Sequence, residues 1–108
     1  MKNLRNLETF VKNSKLFLQE VYCEIDGYKI PIDDTCYDSK TYTYYLLADS
    51  NANPISVKSL LKDCHKYPVL ELVVLSEELY TQAPVKYFLD EKGDGNFGEP
   101  NRLVLVTE

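Results

Sequence analysis

Residues 21–32 read VYCEIDGYKIPI, and the Asp26-Gly27 pair at their centre decides what the surrounding chain can be. A two-residue hairpin turn needs positive φ at both positions, and Asp-Gly supplies this at little steric cost. The flanking runs VYCEI and YKIPI alternate apolar with polar residues, so they predict two antiparallel strands.

Upstream, Leu4, Leu7, Phe10, Val11, Phe17 and Leu18 recur at helical spacing across residues 4–18, with Asn3 placed to cap the first turn. Downstream, DDTCYDSK (33–40) reads as a polar loop, and TYTYYLLA from Thr41 is β-branched and aromatic enough for a third strand. The second half opens with Ser56 as a helix cap, followed by Val57, Leu60, Leu61 and Cys64 on one face and Pro68 at the end. VLELVVL, VKYFL and RLVLV then read as three strands. The expected architecture is α+β, two helices on antiparallel strands in the order αβββαβββ, within a single domain over 1–108.

The halves also align with each other. At an offset of 50, Leu7 meets Val57, Phe10 meets Leu60, Cys23 meets Val73 and Ile25 meets Leu75. Later strands need wider offsets because SEELYTQAP stands where the first half has its tight turn. Two pseudo-symmetric halves, 3–49 and 55–108, account for this, and so does shared α+β patterning without duplication.

Ser56-Val57, Leu60-Leu61 and Pro68 within SVKSLLKDCHKYP have a counterpart elsewhere. The segment resembles the opening helix of small uncharacterised phage and bacterial α+β domains, which carry Thr-Val, Leu-Ile, Leu and a closing Pro before a strand. Cys64 and Tyr67 stand where that pattern has leucines. The resemblance implies a phage-like origin and a helix-then-meander fold, with no activity attached.

Composition narrows the function classes. Apolar residues make up 44% and charged residues 27%, which fits a globular domain and excludes disordered and collagenous chains. No apolar run reaches the about 18 residues of a membrane span, and the charged N-terminal stretch lacks the apolar core of a signal peptide, so a cytoplasmic protein without membrane association is expected. Cys23, Cys36 and Cys64 are an odd, unpatterned set, read as free thiols. The net charge of −5 argues against direct nucleic-acid binding.

The stretch DEKGDGNFGE (90–99) invites a calcium reading. An EF-hand loop needs oxygen ligands at its first, third, fifth and twelfth positions. Counting from Asp90, the third is Lys92 and the twelfth Asn101, and both flanks read as strands. A hairpin loop is the better reading, with Gly93, Gly95 and Gly98 serving backbone geometry. Cys64 and His65 are helix neighbours that point apart, so they form no nucleophile pair. With no phosphate loop, nucleophile elbow or zinc spacing, the expectation is no enzyme, no metal and no cofactor.

Charge and tyrosine remain. Residues 33–40 hold Asp33, Asp34, Asp38 and Lys40, a net −2, and residues 90–101 hold Asp90, Glu91, Lys92, Asp94 and Glu99, a net −3. Together they equal the whole chain's charge, so two acidic loops are expected to meet a basic protein surface. Tyr22, Tyr42 and Tyr44 are the aromatic candidates for the same contact, against the alternative that they simply pack. The expected function is a non-catalytic, phage- or mobile-element-encoded module that binds and inhibits a host defence or nucleic-acid-handling protein, in the manner of anti-CRISPR inhibitors. The alternatives are an assembly protein that forms a homodimer or larger homo-oligomer through a sheet edge or tyrosine face, and a small-ligand or metal-binding module using residues 90–101.

Overall fold

The computed structural model describes residues 3–94 and 98–108; Gly95, one of the three loop glycines, lies outside them. Helix α1 (Leu4–Asn13) starts at a reciprocal cap in which the Asn3 side chain accepts from the Asn6 N–H and the Asn6 side chain accepts from the Asn3 N–H, each at 3.0 Å. It ends earlier than its apolar spacing predicts. Ser14 is extended, its hydroxyl accepts the Leu16 N–H at 3.1 Å and donates to Asp90 at 2.7 Å, and strand β1 (Leu18–Ile25) begins at once. Phe17, expected on the helix's apolar face, therefore sits in the connection and is 79% exposed.

The Asp26-Gly27 turn, with φ of 51° and 81°, joins β1 to β2 (Tyr28–Asp38) as expected. β2 is longer than predicted, because the stretch read as the loop 33–40 continues the strand to Asp38. Its polar residues hid a period of two: Tyr37 packs against the core while Asp34 and Cys36 are exposed. β2 changes partner after Pro31, with Ile32 pairing Ala48 of the next strand just before an irregularity between Ile32 and Asp34. Tyr28–Pro31 pairs with β1, and Asp34–Asp38 pairs with β3 (Thr43–Ala48). The chain leading into the second helix fills the gap, with the Ile55 N–H donating to the Ile32 carbonyl at 2.7 Å and the Ile55 carbonyl accepting from Val21 at 3.1 Å.

Helix α2 (Val57–Lys62) is capped by Ser56, whose hydroxyl accepts the Ser59 N–H at 3.0 Å, and runs into a tighter turn at Asp63–His65. It carries the chain across the sheet to β4 (Glu71–Ser76), so β3 and β4 are parallel, as a crossover connection requires. β5 (Thr81–Pro84), β6 (Tyr87–Glu91) and β7 (Asn101–Val106) complete one seven-stranded sheet in the order β5-β4-β3-β2-β1-β7-β6.

The α+β class holds, but the antiparallel expectation needs correction. The sheet is mixed, with β1–β7 and β3–β4 parallel, and the second half supplies four strands where three were predicted. The stretches 3–49 and 55–108 are also laid out differently. β1-β2-β3 forms a meander, whereas the hairpins β4-β5 and β6-β7 occupy opposite sides of the sheet.

Both helices cover one face. Leu4, Leu7, Val57, Leu60 and Cys64 pack there on Val21, Cys23, Leu46, Leu72, Val74, Leu103 and Leu105. On the other face Val104 and Val106 are buried as well, beneath side chains that reach across the sheet. Lys29 of β2 and Glu91 of β6, three strand positions apart in the sheet, form an ion pair there.

Candidate protein-binding surface

Of the two acidic loops and one aromatic patch that the spacing suggests, residues 33–38 are strand and the tyrosines do not gather. Asp38, at the far end of β2, accepts the Lys40 N–H at 2.9 Å. Asp33 and Asp34 lie at the β2 irregularity, five residues earlier, which is about 17 Å of extended chain. Asp34 accepts the N–H of Thr35 at 2.8 Å.

The second acidic stretch is largely held within the molecule. Asp90 accepts from Ser14, Glu91 pairs with Lys29 and, at 3.6 Å, with Arg102, and Glu99 pairs with Arg102 at 3.5 Å. Glu99 also accepts the Asp94 N–H at 3.4 Å and returns its own N–H to the Asp94 carbonyl at 3.1 Å. These bonds close the β6–β7 hairpin. Gly93 has a steric role in it, since a Cβ there would meet the carbonyl oxygens of Glu99 and Pro100.

The tyrosines are dispersed. Tyr22 lies on the helix-free face beneath Arg102. Tyr42 has a φ of 55° in the turn before β3, which takes it out of the strand that carries Tyr44. Tyr44 is buried on the helix side, where its hydroxyl donates to Asp63. Burial and that bond push its pKa up.

A different acidic set converges. Asp33, Asp49, Glu77 and Glu78 line one shallow cavity of about 220 Å³ whose apolar lining is Leu47, Ala48 and Leu75. Among the described residues no basic side chain lines it. Glu78 accepts the Ser50 hydroxyl at 2.5 Å and the Ser50 N–H at 2.7 Å, which hold its carboxyl below the usual range. The topology explains the convergence: Asp49 follows β3, Glu77 follows β4, and parallel neighbours end on the same side of the sheet. In the sequence Glu77 and Glu78 are only adjacent acids, and it is the crossover that brings them to Asp33.

The thiols and histidine are separated. Cys64 faces the core and donates to the Leu4 carbonyl at 3.3 Å, while the His65 Nε2 pairs with Glu8 at 2.8 Å on the surface. Desolvation pushes the Cys23 thiol up to about 12 and the Cys64 thiol to about 11. Among the described residues no three metal-ligating side chains gather, and no helix is long and apolar enough to cross a membrane. No protein-family model, curated protein or solved structure matches the chain.

Proposed function

We propose that the chain is a non-catalytic protein-binding module whose acidic surface docks on a basic surface of another protein, of the kind that nucleic-acid-handling proteins present. The observation that carries this reading is the convergence of Asp33, Asp49, Glu77 and Glu78 around Leu47 and Leu75 with no cation among them. An apolar centre ringed by uncompensated charge suits an interface in which burial supplies affinity and charge supplies register and encounter rate. The resemblance of residues 56–68 to phage domains motivates the narrower form, an inhibitor of a host defence protein. The test is capture from nuclease-treated bacterial lysate, followed by titration of the purified partner. Asp33→Lys with Glu77→Lys is expected to weaken binding by about tenfold or more at low salt while the thermal midpoint holds. Unchanged affinity would remove the acidic surface from the mechanism.

A second reading has its own observation. β6 is an edge strand, and Tyr87 and Leu89 along it are 43% and 42% exposed. Such an edge can pair with a second copy. Sedimentation would then show a dimer that Leu89→Lys dissociates, and a monomer at high concentration rejects this reading.

A further inference from the structure

The helix layer carries the opposite charge to the surface just described. Residues 3–17 and 55–67 hold six basic and two acidic residues in a chain whose net charge is −5. α1 and α2 run past each other so that the first turn of α1 meets the end of α2, and there a cavity of about 390 Å³ opens. Its lining includes Arg5, His65, Lys66 and Tyr67, together with apolar walls at Leu4 and Val69, and among the described residues it contains no carboxylate.

We propose that this cavity binds a small organic monoanion, an acid group carried on a planar apolar body. The charge argument is local. Lys12, Lys29, His65 and Arg102 have carboxylate partners, whereas Arg5 and Lys66 have none within ion-pair distance among the described residues. Lys66 is held by the Tyr67 side chain and feels the Asp63 carboxylate, but neither cation is closed off in an ion pair, and two such cations at one opening can receive one anionic group. Leu4 and Arg5, the first two residues of α1, line the same opening, near the favourable end of the helix dipole.

The apolar part is equally built in. Tyr67 stacks on Tyr37 with ring centroids 4.4 Å apart, and the Lys66 ammonium lies 5.2 Å from the Tyr67 centroid. The Tyr37 hydroxyl donates to the Pro68 carbonyl at 2.5 Å, and the Leu70 N–H donates to Tyr42 at 2.9 Å, so the wall is fixed from behind. Leu70 itself is 58% exposed at the rim, where a planar group could cover it. A polyanion is disfavoured, because the molecule as a whole carries a net charge of −5.

The site is distinct from the acidic surface, lying at the opposite end of β3 and β4. The test is a fluorescence titration of the purified protein with dansylglycine, which joins a carboxylate to a planar apolar ring, against dansylamide, which lacks the charge. Saturable single-site binding is expected, with dansylamide weaker by about tenfold or more. The double variant Arg5→Gln, Lys66→Met should lose about tenfold or more in affinity, while Lys15→Met with Lys58→Met, on the apolar groove beside Phe17 at the other end of the helices, should change it by less than about twofold. If the first double variant unfolds, Leu70→Glu, which puts a carboxylate on an exposed rim, should abolish binding on its own. The proposal is overturned by no saturable binding, by equal binding of dansylamide, or by retention of affinity in these variants. It is overturned as well if acetate displaces the probe at equal concentration, since the apolar walls would then contribute nothing.

Discussion

The guanidinium of Arg102 lies 4.8 Å from the centroid of the Tyr22 ring, and the same side chain reaches the carboxylates of Glu91 and Glu99. One residue of β7 thus roofs the helix-free face and neutralises part of the hairpin beside it. The two carboxylates are 37% and 51% exposed, so screening leaves each pair little weight. Stacking over Tyr22 and burial of the arginine stem dominate. Arg102→Ala is expected to cost about 1–2 kcal/mol in urea unfolding. Arg102→Lys should recover less than half of that, because an ammonium keeps the charge and loses the planar stack.

The Tyr44 hydroxyl ties β3 to the turn after α2 through Asp63. Tyr44→Phe leaves a carboxylate without that donor and should cost about 1–3 kcal/mol. Asp63→Asn keeps an acceptor and should cost less, which denaturant midpoints for the two variants would resolve.

Stability should fall on the alkaline side. The Cys23 and Cys64 thiols have pKa values raised from 9.0 to about 12 and about 11 by burial, and Tyr44 is raised above 10.0. Above pH 9 the unfolded chain releases thiol protons that the folded chain keeps, so the folded state binds more protons and the unfolding free energy declines as pH rises. For Cys64 the loss runs between 9.0 and about 11. Each group contributes a slope of at most about 1.4 kcal/mol per pH unit. Cys64→Ala should make the decline shallower between pH 9 and 11, measured by thermal unfolding across that range.

Tyr80 has a φ of 49° and is 96% exposed in the turn between β4 and β5. A bulky side chain is strained in that region and its ring packs on almost nothing in return. Tyr80→Gly is expected to raise stability by about 1 kcal/mol, seen as a higher denaturant midpoint. Gly27→Ala provides the opposite case: its added Cβ meets nothing within 4 Å, yet its φ of 81° should make the variant less stable by about 1 kcal/mol.

What the sequence revealed were features decided by neighbouring residues. Asp26-Gly27 named its turn, Asn3 and Ser56 named the helix starts, and the loop glycines pointed to a β6–β7 hairpin. What it concealed depended on distant partners. The helical spacing of Phe17 and Leu18 continued past Ser14, but the side chain of Asp90, 76 residues away, holds Ser14 outside the helix. The acids at 33, 34 and 38 masked the alternation that makes β2 long. The parallel pairing of β3 with β4 follows from where α2 docks, and only that pairing gathers Asp49, Glu77 and Asp33. Individual acids could be flagged; their grouping is a property of the sheet.

β7 occupies the interior of the sheet between β1 and β6, with Leu103 and Leu105 fully buried, and Thr107 just beyond it donates to the Glu24 carbonyl 83 residues earlier. During synthesis β7 emerges after every other strand described here. A ribosome-bound chain that has reached β6 therefore has an unfilled slot beside β1, with neither flanking strand able to close on the other. Such contacts between distant segments are slow to form, and the half-made sheet is open to association through its unpaired edges. Nascent chains would be held in this state until β7 arrives, so this sheet closes only when β7 is made and not progressively along the chain.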